Sequence, residues 1–118
     1  MEKVIQYNGA TVTVKRGNVR SRLRSTLLYN KLDISDKTTD EEWLYLNYFV
    51  RFLTQTTVKG NLGIDMPAPE ADPAALKAGL ERFLDADVEF YDEVIAALNE
   101  VDAVLNDPEL SPDTEKND

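Results

Sequence analysis

The chain has 118 residues, of which 42% are hydrophobic and 30% charged, a balance typical of one compact domain. It contains no cysteine, which excludes disulfides and thiolate metal sites and favours a reducing compartment, the cytoplasm. No apolar run approaches the roughly 20 residues that span a bilayer, and the N-terminus lacks the pattern of a signal peptide. We therefore expect no membrane among the partners.

The net charge of −9 is distributed unevenly along the chain. Residues 65–118 carry sixteen acidic and three basic side chains, whereas residues 1–64 carry six acidic and ten basic ones. Segregation of this kind affects solubility and the choice of partner rather than the fold. It favours a protein that holds, mimics or recruits another molecule over an enzyme.

A β-hairpin is predicted at the N-terminus. Asn8-Gly9 accepts the two positive φ values of a type I′ turn, and it lies between two segments rich in β-forming residues. A two-residue loop pairs Ile5 with Val12. This register places the following side chains on one face: Ile5, Tyr7, Ala10, Val12 and Val14.

A first helix is predicted over 18–32 from the spacing of its apolar residues. Ser35, Asp36 and Thr39 are candidate N-caps for the helix that comes next. The residues expected on the inner face of the first helix are Val19, Leu23, Thr26, Leu27 and Asn30.

The second helix, predicted over 40–56, is apolar around almost its whole circumference. Asn47, Arg51 and Thr54 form its narrow polar strip. Such a helix is either the central core element or has a face that a partner covers. Complete burial is difficult in so small a protein, so we expect a partner-binding surface. Its candidate residues are Trp43, Leu46, Tyr48, Val50, Phe52 and Leu53.

Residues 57–72 contain two glycines and two prolines and are predicted to be a linker. Within one domain over 1–105, this linker connects the hairpin and two helices of 1–56 to an acidic helical hairpin over 73–105. From 106 to 118 we expect a mobile acidic tail. The predicted fold class is α+β, mainly α, with about four helices.

Two further helices are predicted in the acidic half. Asp72-Pro73 provides an N-cap followed by proline at the first helical position, and that helix ends near Ala86. Asp87 precedes the last helix, over about 88–105.

The chain has no histidine, which removes the commonest general base, the usual catalytic triads and most zinc sites. We therefore expect neither an enzyme nor a cofactor. Asp85-x-Asp87-x-Glu89 has the spacing of part of a calcium loop, but it lacks that loop's central glycine and terminal glutamate. We interpret these acids as helix caps and solvated side chains, with no bound metal.

One basic cluster comprises Arg16, Arg20, Arg22 and Arg24. Clustered arginines are a feature of nucleic-acid-binding proteins. However, the whole chain is acidic and no aromatic residues are interleaved with these arginines, so nucleic acid is not the expected partner. We expect the cluster to face the acidic half of the chain or an acidic partner.

Both ends of the chain show a family resemblance. The stretch VIQYNGATVTVKR at 4–16, which runs into VRSRLR at 19–24, resembles the start of small tail assembly chaperones of long-tailed bacteriophages. The stretch at 75–99 is similar to their C-terminal pattern. The resemblance implies a protein that binds the tape measure protein, a long hydrophobic helical rod, and keeps it soluble until tube subunits polymerise around it.

Two other functions remain open at this point. The chain is also compatible with a small acidic inhibitor or DNA mimic that acts on a host DNA-binding or defence enzyme. A minor structural virion protein, self-associating through the hairpin edge, is the second alternative. A chaperone is expected to expose an apolar groove, whereas a mimic is expected to display carboxylates in rows.

Overall fold

The described part of the chain forms a three-stranded sheet and four helices, an α+β architecture that is mainly helical, as predicted. The computed structural model describes residues 2–32 and 39–106, with side chains up to residue 103. Residues 107–118 of the expected tail and the candidate caps Ser35 and Asp36 lie outside the described residues. The elements in chain order are β1 (Glu2–Tyr7), β2 (Ala10–Lys15), α1 (Val19–Leu32), α2 (Asp40–Gln55), β3 (Thr56–Lys59), α3 (Pro73–Leu84) and α4 (Val88–Asn106).

The N-terminal hairpin is confirmed together with its turn and its register. Asn8 and Gly9 adopt φ values of 50° and 81°, as a type I′ turn requires. Ile5 lies opposite Val12, and Tyr7 lies opposite Ala10. The inner face is apolar, and Ile5, Ala10, Val12 and Val14 are buried.

A third strand, β3, lies where the linker was expected to begin. β3 pairs antiparallel with β2, with Val58 opposite Val12, so the strand order is β1-β2-β3. The linker prediction is therefore corrected at 57–59. The remaining segment, 60–72, contains no regular element, but it packs against the core because Leu62 is buried and Met66 is partly buried.

Side-chain caps fix where each helix begins. The Asn18 and Ser21 side chains each accept from the other residue's backbone N–H at 2.8 Å, a reciprocal cap at the start of α1. Thr39 accepts from the N–H of Glu42 at the start of α2. Asp72 caps α3 and Asp87 caps α4, as predicted.

The core lies between the inner face of the sheet and the helices. α2 is central, because it contacts α1, α3, α4, β2 and β3, while α4 lies across β1 and β2. Rings from three helices meet there: Phe49 lies 5.6 Å from Phe83, and Phe52 lies 5.9 Å from Phe90, between ring centroids. This arrangement buries the apolar residues Phe49, Val50, Phe52 and Leu53 in the second half of α2.

α1 faces inward with a different set of residues from the predicted one. Leu28 and Leu32 are buried, whereas Val19, Leu23 and Leu27 are 86%, 59% and 50% exposed. The reason is that α1 rests on α2 along the line of Ser25, Leu28 and Leu32, and the Ser25 and Thr54 hydroxyls are 3.2 Å apart across this contact. The predicted apolar stripe therefore lies on the outside of the molecule.

Candidate protein-binding surface

The buried and the exposed apolar residues of α2 differ in their position along the helix axis: the exposed ones lie near its start and the buried ones further along. Leu46, Val50, Phe52 and Leu53 are buried in the chain's own core, which corrects their assignment to a partner-binding surface. The sheet, α3 and α4 enclose the second half of α2, whereas residues 40–45 at its start are exposed. Of the six candidates, Trp43 remains exposed and Tyr48 partly buried.

A group of tyrosines lies where the first half of α2 meets the start of α4. The ring of Tyr91 is 5.3 Å from that of Tyr45 and 6.3 Å from that of Tyr48, between centroids. Two exposed apolar side chains are nearby: Leu44 precedes Tyr45 on α2, and Leu84, at the end of α3, lines a pocket together with Tyr45. We call Leu44, Tyr45, Tyr48, Leu84 and Tyr91 the tyrosine patch.

A small pocket opens beside this patch, between α2 and the end of α3. Its volume is about 230 Å³. This is below the roughly 300–1,000 Å³ typical of small-molecule sites, so the pocket suits a single apolar side chain better than a cofactor. Its apolar wall consists of Tyr45, Leu46, Leu80 and Leu84, and its polar rim of Thr39, Glu41 and Glu42.

The tyrosine patch presents hydroxyl groups that can donate hydrogen bonds. Burial, followed by the neighbouring hydroxyls of Tyr45 and Tyr48, raises the pKa of Tyr91 to about 12. The Tyr48 hydroxyl is held in place by Asn99 of α4, at 3.3 Å. Aromatic side chains that combine apolar area with a hydroxyl are enriched at protein interfaces.

A polar cluster around Asp102 was not predicted from the sequence. Its carboxylate accepts from Arg51 Nη2 at 2.7 Å, Gln55 Nε2 at 3.2 Å and the N–H of Gly17 at 3.0 Å. A cleft of about 650 Å³ opens beside it, toward the start of α1. Since Asp102 and Arg51 neutralise each other, we assign the cluster a structural role, which is to join α4 to α2 and to the start of α1.

Among the described residues, the arginines of the basic cluster form no ion pair with an acidic side chain of α3 or α4. Arg24 forms an ion pair with Glu70, Nε to Oε2 at 3.4 Å, just before α3. Arg20 and Arg22 are exposed and Arg16 is partly buried, and no ion pair joins these three to any other described residue. Their positive charge is therefore available to a partner.

A further cleft and the acidic side chains near the turn between α3 and α4 are also candidate sites in the described part of the chain. A cleft of about 730 Å³ lies between α2, β3 and the segment 60–69, and Asp65 is its one ionisable lining residue. Asp87 caps α4, and Asp85 lies at the C-terminal end of α3. Among residues 2–32 and 39–106, no three acidic side chains are grouped so that they could hold a metal ion.

No protein-family model, no curated protein and no solved structure matches the chain. In the described part of the chain, every helix is too short or too polar to cross a membrane. A function has to be argued from the surface itself.

Proposed function

We propose that this protein is a non-enzymatic tail assembly chaperone that binds the tape measure protein through the tyrosine patch and keeps it soluble. The observation that carries the proposal is the exposed aromatic and apolar surface over the first half of α2. Tyrosine and leucine side chains converge there beside a pocket of about 230 Å³. The resemblance of both chain ends to tail assembly chaperones supplies the kind of client.

The chemistry of the patch suits a helical client. An amphipathic helix that lies in an apolar groove places an anchor side chain in a pocket and its neighbouring turns on flanking rings. Here Tyr45 and Leu84 border the pocket, and Tyr48 and Tyr91 extend the surface along α4. Acidic side chains, including Glu41 and Asp92, surround the patch and keep the complex soluble.

The test is coexpression with an apolar helical rod of the tape measure type. We expect the protein to keep the rod soluble and to copurify with it. Tyr45→Ala together with Leu44→Ala should weaken binding about tenfold or more, since aromatic anchors carry most interface energy. Val4→Ala is the matched control, because Val4 is an exposed apolar residue on β1, outside the patch.

Circular dichroism must show that the patch variant remains folded. A rod that stays insoluble with the unaltered protein would contradict the proposal. If the protein instead competes with DNA for a DNA-binding enzyme, the inhibitor or DNA-mimic function replaces it. Equal binding by the patch variant and the Val4→Ala control would place the client elsewhere on the molecule.

A further inference from the structure

Two exposed apolar surfaces of this chain carry opposite charge. The first is the outer face of α1, where Val19, Leu23 and Leu27 follow one another at every fourth residue. Residues 15–24 around its start include five basic side chains and no acidic one. We call this surface the basic stripe.

The second surface is the turn between α3 and α4. Leu84 is exposed at the end of α3, and Val88, the first residue of α4, is 69% exposed. Residues 81–92 around them include five acidic side chains and one basic one, Arg82. The Arg82 guanidinium donates to the backbone carbonyl of Asp65, so it is held away from these acids. We call this surface the acidic tip.

The start of the basic stripe and the acidic tip lie toward opposite ends of α4. The start of α1 lies beside Asp102, because Asp102 accepts from the N–H of Gly17 at 3.0 Å. Asp102 is about 21 Å along α4 from Val88, at 1.5 Å per residue. The two surfaces therefore cannot meet within one molecule.

The other end of α1 lies beside the start of α3, whereas the acidic tip is at the end of α3. Lys31 donates to the carbonyl of Ala71 at 3.2 Å, next to the start of α3. Leu84 is at the far end of α3, about 17 Å further on. Only a second molecule can bring an acidic tip to a basic stripe.

We infer that the chain self-associates head to tail, with the basic stripe of one copy against the acidic tip of the next. Each contact buries apolar side chains inside a ring of complementary charge, which favours this pairing over stripe with stripe or tip with tip. When two copies bind in this way, one copy keeps a free basic stripe and the other keeps a free acidic tip, so further copies can bind. Association of this kind therefore produces a growing series or a closed ring rather than a two-fold dimer.

Sedimentation velocity of the protein alone tests this inference. At low salt, we expect the weight-average sedimentation coefficient to rise with concentration, and about 0.5 M salt should abolish the rise because it screens exposed charges. A protein that remains monomeric at every concentration at low salt would overturn the inference.

Two variants then identify the surfaces. The stripe variant is Arg20→Ser with Leu23→Ser, and the tip variant is Val88→Ser with Asp92→Ser. All four residues are exposed, and circular dichroism should show unchanged folding. Each variant alone should associate at least about tenfold more weakly. The control Val4→Ser should associate like the unaltered protein, because Val4 belongs to neither surface.

The mixture of the two variants is decisive. Each variant retains one intact surface, so an equimolar mixture should form a 1:1 dimer and nothing larger. A mixture that stays monomeric, or a single variant that still dimerises alone, would overturn head-to-tail association. The acidic tip shares Leu84 with the tyrosine patch, and neither variant changes Leu84. No client takes part in these measurements, so failure of the association can be distinguished from failure of the proposed chaperone function.

Discussion

Asp102 accepts hydrogen bonds from three residues on two separate segments of the chain. Its partners are Gly17 before α1 and Arg51 and Gln55 on α2. The side chains of Asp102 and Arg51 are each 19% exposed, so their ion pair is largely shielded from water. Glu100, also on α4, forms an ion pair with Lys3 of β1. Both of these side chains are about half exposed, so the pair contributes little to stability.

Replacement of Asp102 should therefore cost far more than replacement of Glu100. We expect Asp102→Ala to lower the free energy of unfolding by about 2–3 kcal/mol, because it removes the carboxylate that pairs with the largely shielded Arg51 guanidinium and leaves the N–H of Gly17 without an acceptor. Glu100→Ala should cost less than about 1 kcal/mol. Urea denaturation measures both, and equal losses would show that the cluster does not hold α4 in place.

Tyr91 gives the tyrosine patch a pH dependence at alkaline pH. The folded protein holds the Tyr91 proton up to a pKa of about 12, whereas an unfolded chain loses it near the ordinary pKa of about 10. The stability that Tyr91 contributes is complete below pH 10 and is lost as the pH rises toward about 12. Tyr91→Phe should therefore flatten the fall of the urea midpoint over this range. An unchanged slope in the variant would contradict this assignment.

At the scale of the secondary-structure elements, the sequence predicts the features that depend on residues close together in the chain, such as turns and helix caps. The Asn8-Gly9 turn and the caps Thr39 and Asp72 act within a few residues, and the structure has them where they were predicted. β3 was missed because four residues after a helix become a strand only by pairing with the distant β2. The inner face of α1 was misassigned because periodicity identifies an apolar stripe but not whether the core or another molecule covers it.

Gly79 shows how closely the segment 60–72, which was predicted to be a linker, packs on α3. A methyl group at Gly79 would overlap the ring of Pro67, from the segment 60–72. The glycine is thus required by a tertiary contact, although glycine inside a helix is usually unfavourable by about 1 kcal/mol relative to alanine.

Gly79→Ala should consequently destabilise the protein instead of stabilising it. We expect Pro67→Ala to offset much of this loss in the double variant, because it removes the ring that the new methyl group meets. Thermal unfolding of the two single variants and the double variant measures the coupling. Additive effects would mean that Pro67 does not pack on α3 in solution. At the exposed position 78, Ala78→Gly serves as the control, with the ordinary cost of about 1 kcal/mol.

At the scale of the whole molecule, the candidate surface combines residues that no local pattern links. Tyr45 and Tyr48 belong to a helix whose apolar character was recognised in the sequence, whereas Tyr91 belongs to α4, much later in the chain. The patch exists because α4 crosses the sheet next to α2 and brings Tyr91 to the first half of α2. Four of the six predicted surface residues were needed for the core, which sequence composition alone does not reveal.

The position of α4 also determines when the protein can fold during synthesis. α4 covers β1 and β2, and the ring of Phe90 lies 4.9 Å from that of Tyr7, between centroids. A ribosome releases β1 and β2 first and α4 last of the described elements. The apolar face of the hairpin, with Ile5 and Val12, is therefore uncovered on the nascent chain until α4 has left the exit tunnel. The domain can therefore complete its folding only after α4 has been translated. Until then, the nascent chain exposes the apolar face of its hairpin to other molecules in the cell.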